Sequence, residues 1–65
     1  MHRYRITAQK DGGHEEWLHE FPAISNWAAN RVFNGFKKNQ RYHGHTLKLI
    51  KYEERVISTR DPIGA

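Results

Sequence analysis

There is no cysteine in this chain of 65 residues. That absence rules out disulfide bonds and every thiolate-ligated zinc site, two of the usual reinforcements of small folds. No apolar run approaches the roughly 20 residues that a membrane-spanning helix needs, and the opening MHRYRITAQ lacks the apolar core of a secretion signal. Proline and glycine are too few and too scattered to form a linker, and neither an internal repeat nor a low-complexity run marks a second domain. Acidic residues are the scarcer charge. Seven Asp and Glu stand against eleven Lys and Arg, for a formal charge of +4 and a pI near 9.8, and the five histidines add positive charge as the pH falls toward 6.

The hydrophobic fraction of 37% and the two tryptophans exclude the composition of a disordered chain. A domain this small buries only about 60% of the surface its unfolded form exposes, so its stability is thin and a second subunit is one route left to reinforce it. The basic balance favours nucleic acid, anionic lipid or an acidic protein as partner and selects among none of them. The expectation is one complete small protein of the kind that bacteria and bacteriophages encode, working in the cytoplasm and away from the membrane.

Arg3 to Gln9 alternates Tyr4, Ile6 and Ala8 with Arg3, Arg5, Thr7 and Gln9, the period-2 pattern of a strand with one buried face. Lys10-Asp11-Gly12-Gly13 follows, and Asp-Gly and Gly-Gly suit two-residue hairpin turns because both central positions need positive φ. Glu15 to Phe21 returns as a second strand. A two-residue turn puts Tyr4, Ile6 and Ala8 on one face with Trp17, His19 and Phe21. It sets Arg3, Arg5 and Thr7 on the other face, against Glu16, Leu18 and Glu20.

Pro22 suits the first turn of a helix, which the pattern carries to about Lys38, with Gly35 weakening its last turn. Wound at about 100° per residue, this stretch gathers Ile24, Ala28, Ala29, Val32, Phe33 and Phe36 on one side. Trp27, Asn30, Arg31, Asn34, Lys37 and Lys38 fall on the other. Asn39 to Gly44 reads as a connector and Thr46 to Tyr52 as a third strand. Arg55 to Thr59 either extends that strand or forms a fourth one through a Glu53-Glu54 turn. The apolar phase shifts between Leu49 and Ile50, as it does at a bulge or in a strand buried on both faces. The order strand, strand, helix, strand, with or without a further strand, predicts an α+β domain over residues 1–59: ββαβ or ββαββ, one helix on an antiparallel sheet. Residues 60–65 are expected to form a flexible tail. No named family fits: a ribbon-helix-helix has one strand and two helices, and a double-stranded RNA domain begins and ends with helices.

The outward helix face is the first candidate surface. Trp27, Arg31, Asn34 and Lys38 recur at steps of four, three and four and stack on one side. An indole stacks on a base, guanidinium and ammonium groups meet phosphate, and an amide pairs with a base edge. Trp27, Asn30, Arg31, Asn34, Lys37, Lys38 and Arg41 are therefore the expected contacts to nucleic acid or to a protein partner. The plain alternative is that Trp27 covers the helix edge while its polar neighbours are only solvated. Tyr42, His43, His45, Lys48 and Lys51 form a secondary basic and aromatic group.

Chemistry finds little footing. His43 and His45 stand at i and i+2, but no spacing supplies the further ligands of a zinc site, so neither metal nor cofactor is expected. Glu15-Glu16 and Glu53-Glu54 are adjacent in sequence, so on a strand their carboxylates point to opposite faces and cannot share acid/base work. Ser25, Thr46 and Ser58 lack a nucleophile arrangement, and no glycine-rich phosphate cradle is present. The reading is a non-enzymatic binding module without a small-molecule substrate, an accessory or regulatory protein contacting nucleic acid through its basic helix face. Two alternatives stand beside it: a regulator or inhibitor of a host enzyme or complex that uses the open sheet face or an edge strand, and a dimerising structural subunit.

Overall fold

Tyr4, Ile6 and Ala8 are fully buried along one side of β1 (His2–Lys10), as their alternation requires. The computed structural model describes residues 1–53 and 55–63. β1 pairs antiparallel with β2 (Glu15–Ala23) on one flank and with β3 (His45–Lys51) on the other, and β4 (Arg55–Arg60) pairs with β3. The sheet order is β2-β1-β3-β4. One helix, α1 (Asn26–Lys37), covers one face, which gives an α+β domain of order ββαββ. The fourth strand is separate from the third, as one of the two expected layouts had it; of the turn between them, Glu54 lies outside the described residues.

The first hairpin is longer than a two-residue turn. The Gly13 N–H donates to the Lys10 carbonyl at 2.7 Å, and Gly12 takes a φ of 71°, where glycine alone is unstrained. Gln9 then lies opposite Glu15. The expected parity is restored further along, because β2 carries a bulge: Thr7 faces Trp17 but Ile6 faces His19, leaving Leu18 as the extra residue. The consequence is a correction. His19 and Phe21 lie on the helix side with Tyr4 and Ile6, whereas Trp17 is turned to the opposite, open face. The expected charge pairing survives there, with Arg5 opposite Glu20 and the Arg3 guanidinium 2.8 Å from Glu20 Oε1.

α1 begins later than its composition suggests. Pro22 and Ala23 belong to β2, an edge strand, where a residue without an N–H is tolerated. Ser25 is the N-cap, its hydroxyl accepting from the Ala28 N–H at 3.2 Å. Ile24, expected in the apolar stripe, precedes the cap and is 73% exposed. Ala29 and Phe33 are buried, Ala28 and Phe36 pack half-buried beside them, and Val32 sits on the flank, largely open. The helix runs through Gly35 to Lys37 without breaking.

The core between helix and sheet is Tyr4, Ile6, Ala8, Phe21, Ala23, Ala29, Phe33, Leu47 and Leu49. Side-chain hydrogen bonds help fix the helix over it. The Tyr4 hydroxyl donates to Asn26 Oδ1 at 2.7 Å, and the Ser58 hydroxyl donates to Asn30 Oδ1 at 2.6 Å. The phase shift at Leu49 and Ile50 has the second of its two expected causes, burial on both faces: β3 runs in unbroken register against β1, Leu49 is buried on the helix side and Ile50 on the open side, while the register break against β4 puts the extra residue, Ile57, in β4. β4 takes in Arg60, and beyond it the Ile63 N–H donates to the His43 carbonyl at 2.6 Å. Among the described residues no helix is long and apolar enough to cross a membrane.

Candidate nucleic-acid interface

The helix turns Trp27 outward. Its side chain stands 70% exposed in the first turn, and the Arg31 guanidinium lies 5.2 Å from the centre of its ring. This is the i,i+4 spacing of neighbours on one helix face. An arginine resting on an indole presents a flat, positive, partly apolar plate suited to a base or a ribose-phosphate edge. Asn34 and Lys38 continue the line and are exposed, and Lys38 is also the C-cap residue. Lys37 is half-buried, its amine 5.5 Å from the Phe33 ring centre. Its stem lies along apolar surface while its charge reaches the helix end, where the macrodipole favours a cation.

Arg41 stands one step further on, exposed on the short 3₁₀ turn Gln40–Tyr42 and resting 5.9 Å from the Tyr42 ring centre. Asn39 starts that turn, its side chain accepting from the Arg41 N–H at 3.0 Å. The chain thus carries Lys38 and Arg41 out of the helix end in an ordered conformation. From Pro22 to Tyr52 there is not one Asp or Glu, while Arg31, Lys37, Lys38 and Arg41 all fall in that stretch. This segregation of acids was legible in the sequence as a simple count along the chain, and it is the sharpest electrostatic feature of the helix side.

Not every expected residue joins the surface. Asn30 points toward β4, with its Oδ1 taken by Ser58 and its Nδ2 donating to the Asn26 carbonyl at 3.0 Å. It anchors the helix. The secondary group is scattered. Tyr42 and His45 meet edge to face at 5.7 Å and are half-buried. His43 is half-buried and its carbonyl holds Ile63. Lys48 lies on the open face, 3.7 Å from Glu15, and Lys51 sits at the far end of β3 opposite Tyr4. Among the described residues no group of three or more His, Asp or Glu is placed to hold a metal ion.

The open sheet face carries a feature that alternation alone misplaced. Arg5 stacks on Trp17 with its guanidinium carbon 4.1 Å from the ring centre. Beside them Arg3, Ile50, Tyr52 and Glu53 help line a shallow hollow of about 300 Å³. The bulge at Leu18 creates this arrangement, and no residue type in β2 announces a bulge. Two ion pairs lie on this face, Arg3 with Glu20 and Lys48 with Glu15, beside the Arg5 guanidinium. The open face thus carries both signs of charge, whereas α1 and the 3₁₀ turn carry cations and no acid. No protein-family model, curated protein or solved structure matches this chain.

Proposed function

We propose that the protein is a non-enzymatic binding module that lays the outward face of α1 and the following 3₁₀ turn along a nucleic-acid backbone. The observation that carries this is the exposed Trp27–Arg31 pair on a helix with no acidic residue. Arg31, Lys37, Lys38 and Arg41 meet phosphates, and Trp27 stacks on an accessible base or packs against the sugar edge. Backbone contacts of this type give affinity with little sequence preference, which suits an accessory or regulatory role.

Fluorescence anisotropy with labelled 20-nucleotide single strands and 20-base-pair duplexes tests the proposal across a salt series. Four phosphate contacts predict a slope of log Kobs against log salt of about −3 to −4 on duplex, and somewhat shallower on single strands. Arg31→Ala should reduce that slope by about 1, and Trp27→Ala should weaken single strands more than duplex if stacking is used. Binding that ignores salt, or is unchanged in the Arg31→Ala and Lys38→Ala double variant, overturns it.

A further inference from the structure

We infer that the partner of the outward helix face is a single strand, DNA or RNA, which runs from Trp27 to Arg41 along the β4 side of α1 with one unstacked base on the Trp27 ring, an assignment that rests on the binding function proposed above. The ring itself asks for such a base. It stands 70% exposed, with Arg31 against it at 5.2 Å and the rest of its surface in solvent. In a duplex every base is paired and stacked, and bringing one out costs free energy before any contact is gained. A single strand offers its bases already open, and stacking one on an indole strengthens binding about 10-fold or more.

The cations lie on one side of the helix only. Asn30 bonds Ser58 on β4 and Phe36 stacks on His19 of β2, which fixes the two flanks of α1. By helical spacing Trp27, Asn34 and Lys37 share the β4 side with Asn30, while Arg31 and Lys38 crown the outward line. The opposite flank carries Ala28, Val32, Gly35 and Phe36 and no charge at all. Beyond it stands β2, with Glu16 exposed on the helix side and Glu15 and Glu20 paired with Lys48 and Arg3 on the other; the hairpin before it sets Asp11 beside Lys10.

The β4 flank differs. Arg55 and Lys51 face each other at the near end of β4 and β3, and Arg60 closes the far end on backbone carbonyls. Among the described residues its acids are Glu53, which lines the hollow of the open face, and Asp61, which follows the strand. A duplex groove presents phosphates on both walls, so one wall would meet an uncharged flank and then Glu16. One strand needs only the cationic side. Both edge strands carry a bulge, at Leu18 in β2 and at Ile57 in β4, and β2 also carries Pro22, devices that blunt pairing with another chain and leave the β4 flank open.

Length sets the footprint. From Trp27 to the cap residue Lys38 the helix rises about 16 Å, and Arg41 lies beyond. At about 3.4 Å per stacked nucleotide this spans roughly five nucleotides, near the lower end of the site sizes of small single-strand-binding folds. Arg31, Lys37, Lys38 and Arg41 then meet phosphates, for a slope of log Kobs against log salt of about −3.

The test is fluorescence anisotropy of the full chain with labelled single strands of about 12 nucleotides, DNA and RNA, against the duplex of the same sequence. The expected result is single-strand binding tighter than duplex by about 10-fold or more, a margin that Trp27→Ala removes and Trp27→Phe restores in part. In a Trp17→Phe background, Trp27 emission should be quenched by the single strand and left unchanged by the duplex. Asn34→Glu, on the β4 side, should weaken single-strand binding more than Val32→Glu on the uncharged flank, with circular dichroism confirming that both variants fold. A preference for either sugar supports the assignment and names its source. Duplex bound as tightly as the single strand overturns it while leaving the binding function standing, and so do equal losses in Asn34→Glu and Val32→Glu. A chain that binds neither form sinks both proposals.

Discussion

Arg60, at the end of β4, donates through Nη1 to the carbonyl of Lys37 at the end of α1, 3.1 Å away. Its Nη2 donates to the carbonyls of Tyr42 and His45. One guanidinium thus joins the helix terminus, the 3₁₀ turn and the start of β3, and it satisfies carbonyls that a helix end leaves without partners. Its charge also sits where the helix dipole is negative.

Arg60→Ala is therefore expected to destabilise the domain by about 2 to 3 kcal/mol, because several charge-assisted bonds are lost together. Arg60→Lys should recover only a minor part, since one ammonium cannot reproduce the planar fork. Urea denaturation followed by circular dichroism measures both. A loss below about 0.5 kcal/mol for Arg60→Ala would show that the carbonyls are served equally well by water.

Gly35 lies inside α1, and a Cβ built there meets nothing within 4 Å. Gly35→Ala should stabilise the fold by about 1 kcal/mol, raising Tm by roughly 4 to 8 °C in a domain of this size. Thermal melts of the two proteins decide it, and an unchanged or lower Tm contradicts the expectation.

Thr7 is buried on the open side of β1, between Trp17 on β2 and Lys48 on β3, and its Oγ1 has no hydrogen-bond partner. Exchanging that hydroxyl for a methyl keeps the shape and removes a desolvated polar atom. Thr7→Val should stabilise by about 1 kcal/mol. A measured destabilisation in urea would mean that the hydroxyl is bonded in solution.

Asn30 and Trp27 stand on the same helix with opposite expected behaviour. Asn30→Ala removes the bonds to Ser58 and to the Asn26 carbonyl and should cost about 1 to 2 kcal/mol of stability while leaving oligonucleotide affinity near wild type. Trp27→Ala removes an exposed ring and should change stability by less than about 0.5 kcal/mol while weakening binding. Paired denaturation and anisotropy measurements on each variant check the division, and the reverse pattern would exchange their roles.

The strands, the alternation of β1 and the outward turn of Trp27 were legible in the chain itself, because period-2 and helical spacing are local properties that backbone geometry reads directly. Asn30 was less so. The helical wheel places it beside the polar face, and only the approach of Ser58, 28 residues away in sequence, turns its amide inward. Pro22 went to the strand and Ile24 to the linker because the cap at Ser25, rather than the proline, sets where the helix starts.

What the sequence determined by itself is the inward run of Tyr4, Ile6 and Ala8 on β1, the inward Ala29 and Phe33 and outward Trp27 of α1, and the absence of acids between Pro22 and Tyr52. Tertiary structure alone decided which face received Trp17, where Arg60 was bound and which edge strands were blunted. The physical reason is the one-residue bulge. It exchanges the two faces of a strand without any change in composition, and it exists only because two strands pair while each packs its own side chains.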